Sequence, residues 1–171
     1  MTEMDEFSIH TANKGDLTDI DALLGRSYPA LLKADYPPSL LVTAIPLIAR
    51  ANPRLVTSGR YFVVRDRSGH AVGAGGWSET HPNTSQRGAP ATGHIRHVVT
   101  DHTRTRRGIG RALMGHIFDN ARAAGIMRLD CFATLTAVPF YAACGFSEDH
   151  TLTIELRPGI DFPAVLMHRS L

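Results

Sequence analysis

The stretch from Thr105 to Gly125, T-R-R-G-I-G-R-A-L-M-G-H-I-F-D-N-A-R-A-A-G, constrains the fold more than any other part of this chain. Ile109, Leu113, Ile117 and Ala121 recur every four residues, and Met114 and Phe118 widen the stripe, which is the pattern of an amphipathic helix. Arg111 and Arg122 lie off that stripe, and Gly125 supplies a stop after the last periodic residue. Just upstream, residues 94–99, H-I-R-H-V-V, read as a strand. A strand feeding a glycine turn into a helix leaves several backbone N–H groups unpaired and aimed at one spot. The helix dipole adds partial positive charge there, so the spot suits phosphate. Gly108 and Gly110 carry no Cβ, which lets a pyrophosphate approach the main chain.

Two common phosphate fingerprints fail. A dinucleotide-binding G-x-G-x-x-G needs a third glycine where Leu113 stands. Gly110 to Gly115 has the glycine spacing of a Walker A loop, but His116 and Ile117 replace its lysine and hydroxyl. R-R-G-I-G-R-A-L after a strand instead resembles the acyl-CoA pyrophosphate loop of the GNAT-type N-acetyltransferase family, whose usual pattern is (Arg or Gln)-x-x-Gly-x-(Gly or Ala). Thr105 fills the first place here, and Arg104, Arg106 and Arg107 keep the loop cationic. Downstream, residues 134–146, T-L-T-A-V-P-F-Y-A-A-C-G-F, resemble the family's later segment, a short helix ending in F-Y-x-x-x-G-F. The resemblance spans nearly the whole chain.

That resemblance implies an α/β (α+β) fold: one domain over 1–171, with a mixed, mostly antiparallel sheet, helices on both faces and a central acyl-CoA cleft. It implies acetyl-CoA as cofactor, with Val98 and Val99 along the pantetheine arm. Thr105, Arg106, Arg107, Gly108, Ile109, Gly110 and Arg111 would meet the pyrophosphate, and Thr136 and Phe140 would complete the cofactor contacts. Thr136 stands where the family often has asparagine. Tyr141 matches the tyrosine that often protonates the departing thiolate. A free tyrosine has a pKa of about 10 and a thiol about 8.5, so that transfer is nearly balanced.

The rest of the chain fits this frame. Residues 7–11 alternate as a first strand; Asp16 can cap a helix whose Leu17, Ile20, Leu23 and Leu24 share a face. Arg26 to Pro29 is expected to break or bend it, and Pro46 to kink or divide a second helix over roughly 38–51. In the family the segment between the first two helices lines the acceptor pocket, which makes Tyr28 and Tyr36 candidates. Residues 60–65 and 71–77 form β-rich runs joined by D-R-S-G, which is hairpin chemistry. Gly73, Gly75 and Gly76 mark close approach of a backbone or ligand. Trp77, the single tryptophan, either walls a substrate pocket or plugs the core. Ser78 to Gly93 reads as a long surface loop. Strands follow at 129–133, 151–156 and 164–168.

Nine histidines invite a metal reading. His94 and His97, three apart on a strand, face opposite ways unless a bulge intervenes. With neither H-E-x-x-H nor C-x-x-C in the sequence, no metal site is expected. His97 precedes the phosphate loop, where a neutral imidazole would accept the amine's proton; a purely structural histidine is the alternative. A formal charge of +2, with 43% hydrophobic content, calls for neither nucleic acid nor membrane as partner. Two cysteines cannot build a disulfide framework and the N-terminus lacks a signal-peptide pattern, so a cytoplasmic setting is expected. The expected partners are acetyl-CoA and an amine acceptor, with a homodimer left open. The expected activity is transfer of an acetyl group to a primary amine in a ternary complex. A non-catalytic acyl-CoA-binding module on the same fold is the alternative.

Overall fold

A computed structural model describes residues 7–82, 89–105 and 107–171. Seven strands form one sheet in the order β1-β2-β3-β4-β5-β7-β6: Phe7–Thr11, Tyr61–Asp66, Ala71–Ser78, Thr92–Thr100, Arg128–Thr134, Ser147–Arg157 and Ile160–Ser170 for β1 to β7. All neighbours pair antiparallel except β4 and β5. The connection between those two strands is α4, Ile109–Ala123, as a parallel crossover requires. The other helices are α1 (Leu17–Leu32), α2 (Pro38–Ile48), α3 (Pro53–Val56) and α5 (Val138–Ala143).

Alternation along the central strands sends side chains to two cores. Phe62, Val64, Ile95, Leu129 and Met167 pack with the α4 stripe of Ile109, Leu113, Met114, Ile117 and Phe118. Tyr61, Val63, Ala74 and Val99 pack on the opposite face against Ile20, Leu23 and Leu24 of α1. A third cluster joins Leu32, Tyr36, Ala44 and Phe162, tying α1 and α2 to β7. Helices therefore cover both faces, which is what buries a sheet so apolar along β2 and β3.

Neither internal proline ends its helix, so the break expected as one outcome at Pro29 and the division expected as one outcome at Pro46 do not occur. α1 continues through Pro29 and α2 through Pro46. The bond each proline deletes belongs to the residue four earlier: Gly25, which is exposed, and Val42, which is 75% exposed. Water can serve a carbonyl at such a position, so the penalty falls below the ~3 kcal/mol of a buried helix interior. Beyond Pro29, burial of Leu32 holds the last turn in place.

The three glycines of β3 answer to close approach. A Cβ on Gly73 would sit 2.9 Å from Ile109 Cγ2, and one on Gly76 only 2.1 Å from the Arg60 carbonyl oxygen. Of the loop expected between Ser78 and Gly93, residues 83–88 lie outside the described residues. Among the described residues, no helix is long and apolar enough to cross a membrane.

Candidate active site

β4 and β5 pair only over Thr92↔Arg128, Gly93↔Leu129 and His94↔Asp130. Beyond that point they diverge, and the divergence opens a cleft of about 730 Å³. Strands that part this way leave main-chain N–H and C=O groups of β4 without a ladder partner, ready for an extended ligand.

A bulge sharpens the opening. Gly76 pairs with Arg96 and Ala74 with Val99, so β4 carries one residue more than β3 between those pairs. His97 adopts φ 47, a left-handed conformation rare for residues other than glycine. The Tyr61 hydroxyl donates to the His97 carbonyl at 2.8 Å and holds the bulge from the α1 side. Gly75 makes room for it, since a Cβ there would lie 2.7 Å from Val98 Cγ2 and 3.1 Å from Val98 Cα. The bulge also breaks the strict alternation that would place His94 and His97 on opposite faces. The arrangement makes no metal site: among the described residues no group of three or more His, Cys, Asp or Glu is placed to hold an ion.

At one end of the cleft stands the start of α4. Gly108 is its N-cap with φ 77, and no side chain caps the helix. The first turn closes with a bond from Ala112 N–H to the Gly108 carbonyl, so the amides of 109–111 have no helical partner. A Cβ on Gly108 would meet nothing within 4 Å, and open space in front of uncapped amides is what an anion needs. Thr105, Arg107, Gly108, Ile109, Gly110 and Arg111 all line this end. Arg107 and Arg111 have no carboxylate partner among the described residues, whereas Arg104 is drawn off to Asp66 at 2.9 Å. Arg106 lies outside the described residues. Phe140 lines the same end and packs against the turn so closely that a Cβ on Gly110 would fall 2.8 Å from its ring.

Tyr141 reaches the cleft from α5, nearly buried, between the rings of Phe140 and Phe146. Burial first, then the neighbouring Cys131 and Tyr28, push its pKa well above that of a free phenol. Burial likewise pushes the Cys131 thiol up to about 12, so neither group ionises near neutrality. Tyr28 lines the cleft from α1 and donates to the Val98 carbonyl at 3.4 Å. His97 lines it too, and burial, aided by the Arg96 charge, lowers its pKa to about 4. Val98 and Val99 complete the β4 wall.

Two expected residues lie outside the wall, and a third stands in it with its hydroxyl proton already spent. Trp77 is a core residue and no part of the cleft wall: it is fully buried, its indole N–H donates to Asn120 Oδ1 at 2.8 Å, and its ring supports Arg60. An even strand register turns it toward α4. Tyr36 also stays out of the wall. Its hydroxyl donates to the Pro163 carbonyl at 2.7 Å and accepts from Leu135 N–H at 2.9 Å, while its ring stacks on Phe162. It fastens the α1–α2 loop to the segment that leads into α5. Thr136 does line the cleft, but its hydroxyl proton is committed to Asp35 at 2.7 Å, so it can only accept from a ligand. Leu31, Phe132 and Cys131 complete the wall. Nothing in the sequence marked them beyond ordinary strand and helix periodicity.

A cleft between diverging parallel strands, an uncapped cationic helix start at one end and a buried tyrosine in its wall define a protein shaped to hold a phosphate-bearing cofactor. The chain belongs to the acetyltransferase (GNAT) family, whose family model matches residues 21–146. In fold it is similar to a GCN5-related N-acetyltransferase from Rhodopseudomonas palustris (18% identity, 96% of this chain and 95% of that one, TM-score 0.73). It is also similar to the PaiA N-acetyltransferase from Thermoplasma acidophilum, a structure in complex with coenzyme A (12%, 96% and 99%, TM-score 0.72). The ribosomal-protein-S18-alanine N-acetyltransferase from Escherichia coli is a third (16%, 96% and 93%, TM-score 0.62). No curated protein matches the chain significantly in sequence.

Proposed function

We propose that this protein transfers the acetyl group of acetyl-CoA to a primary amine by direct attack within a ternary complex. The observation that carries the reading is the single continuous cleft. It joins the uncapped amides of α4 to Tyr141 and continues to Tyr28, Phe132 and His97. A module that only sensed acyl-CoA would need no space beyond the thioester.

The pyrophosphate would rest on the amides of 108–111 with Arg107 and Arg111 beside it. The pantetheine arm would lie along the unpaired edge of β4 at Val98 and Val99. A main-chain N–H there would polarise the thioester carbonyl as it takes up negative charge. The amine attacks that carbonyl carbon, the C–N bond forms, and the tetrahedral intermediate collapses with cleavage of the C–S bond. Tyr141 would give its proton to the departing thiolate. Its raised pKa keeps it protonated at neutral pH, and a thiolate formed in the same desolvated cleft becomes more basic for the same reason. His97, neutral at physiological pH, would accept the proton that the attacking nitrogen sheds, directly or through a water. Placing carbonyl and amine together supplies most of the acceleration.

The test is acetyl-dependent thiol release over a panel of primary amines, run beside calorimetry of acetyl-CoA binding. Binding together with amine-dependent release is expected. Binding without turnover on any amine would favour the non-catalytic module, and absence of binding would remove the cleft's assignment.

A further inference from the structure

The cleft is lined from both faces of the sheet. Ile109, Phe140 and Tyr141 line it on the α4 face, where the cofactor phosphate and the departing thiol would sit. Tyr28, Leu31 and Leu32 line it from α1, which packs on the opposite face. Phe132 belongs with them. Cys131 and Ala133 on either side of it point into the α4 core, so alternation along β5 turns Phe132 the other way. The amine would enter on that α1 face.

This face of the wall is apolar. Tyr28, Leu31 and Phe132 are only half-buried, so ring and methyl surface is left toward the cleft. The polar groups beside them are engaged: the Tyr28 hydroxyl donates to the Val98 carbonyl at 3.4 Å, and the Thr134 hydroxyl oxygen accepts from Ala137 N–H at 3.2 Å. Among the described residues, the arginines and lysines of the wall are Arg104, Arg107 and Arg111, all at the phosphate end, and no Asp or Glu lines it. Residues 83–88, N-T-S-Q-R-G, contain no acid either. Asp35, whose carboxylate accepts from the Thr136 hydroxyl at 2.7 Å, is exposed and does not line the cleft.

Hydrogen bonds also bound the space. The Tyr36 hydroxyl donates to the Pro163 carbonyl and accepts from Leu135 N–H, and Thr136 donates to Asp35. Together they fasten the turn between α1 and α2 to β7 and to the segment between β5 and α5. The α1 wall and the β5 wall are thereby joined at that end, which suits a short body better than a through-running chain.

We infer that the acceptor is a small monoamine on an apolar body, an aromatic ring or an alkyl chain, which lies against Tyr28, Leu31 and Phe132 while its nitrogen faces the thioester. This rests on the acetyl-transfer reading above and names its substrate class. An alkylammonium ordinarily holds its proton up to about pH 10, yet only the neutral amine can attack. Apolar surroundings penalise the charged form, so this wall would assist the deprotonation that the reaction needs. A second ammonium, as in polyamines or aminoglycosides, would be desolvated with no carboxylate of the wall to compensate it.

The experiment measures kcat/KM for acetyl transfer to n-alkylamines from propylamine to hexylamine, to phenethylamine, and to cadaverine and δ-aminovalerate as charged analogues of hexylamine. A peptide with a free N-terminus completes the panel, and acetyl-CoA affinity is measured in parallel. In the wild type each added methylene should raise kcat/KM by about 4-fold until the space is filled. Hexylamine should exceed both charged analogues by about 10-fold or more. Phe132→Ala should flatten the alkyl series, and Leu31→Glu, which puts a carboxylate on the wall, should shift the ratio of hexylamine to cadaverine toward cadaverine. A flat or falling alkyl series in the wild type overturns the inference and leaves the acetyltransferase reading standing. Preference for cadaverine or δ-aminovalerate, turnover confined to the peptide, or an unchanged ratio in folded Leu31→Glu does the same. A wild type that binds acetyl-CoA but acetylates no amine overturns both. The wild-type series decides the matter even if a variant fails to fold.

Discussion

Tyr141→Phe isolates one proton. The ring stays where Phe140 and Phe146 hold it, with centroids 5.2 and 5.5 Å away, so packing is conserved and only the hydroxyl is lost. That hydroxyl bonds with Cys131, itself buried, so the stability change is that of one neutral hydrogen bond, about 1 kcal/mol or less. Under the proposed reading phosphate binding should hold, because the α4 amides and Arg107 that would carry it do not depend on the Tyr141 hydroxyl. Chemistry is where the loss falls. Removal of a general acid typically costs 10²-fold or more, which is about 3 kcal/mol of transition-state free energy. The assay is single-turnover acetyl transfer with cofactor and amine both saturating, so that product release does not mask the step. Calorimetry of acetyl-CoA and a thermal melt serve as controls. We expect a rate at least ~10²-fold lower, unchanged acetyl-CoA affinity and a melting temperature within a few degrees of wild type. The pKa of Tyr141 lies well above 10, so the wild-type rate should also show no alkaline fall from loss of this proton below about pH 10. An unchanged single-turnover rate in the variant would refute the reasoning and remove Tyr141 from the mechanism.

Two further outcomes follow from the bulge. Gly75→Ala would bring a Cβ to 3.1 Å from Val98 Cα, a main-chain atom that cannot rotate away; we expect ~1–3 kcal/mol of destabilisation with weaker acetyl-CoA binding, read by thermal unfolding and calorimetry. His97 has a pKa of about 4 when folded against 6.5 ordinarily, so between those values the unfolded chain binds more protons and stability falls as pH falls. No stability is lost to this group above about pH 6.5, and the loss reaches on the order of 3 kcal/mol by pH 4. His97→Asn, which tolerates the left-handed backbone, should lose less stability than wild type between pH 7 and pH 4.5 in urea unfolding; equal losses would contradict the assignment. The same low pKa predicts no inflection from His97 near pH 6.5 in kcat/KM.

Much of this architecture was legible in the sequence because its carriers are local. The α4 stripe, the glycine turn before it and the strand before that each follow from spacing alone, and α4 ends beside Gly125, as the stop signal implies. Other features depend on partners remote in sequence. No break occurs at Pro29 and no division at Pro46, because solvent exposure at Gly25 and Val42, set by which face each helix buries, decides the cost. Trp77 looked equally suited to pocket and core; Asn120, on a helix 43 residues later, settles it. The Thr136 hydroxyl is spent on Asp35, 101 residues away, and the bulge at His97 depends on Gly75 of the neighbouring β3 and on Tyr61 of β2, one strand further.

The most direct test of the central claim is a crystal structure with CoA bound. The account predicts the pyrophosphate on the amides of 108–111, the pantetheine arm along Val98 and Val99, and the sulfur about 3–3.5 Å from the Tyr141 hydroxyl. Open volume should remain beside that sulfur, toward Tyr28, Phe132 and His97. A pyrophosphate seated anywhere but the start of α4, or a sulfur walled off from that volume by side chains, would contradict it.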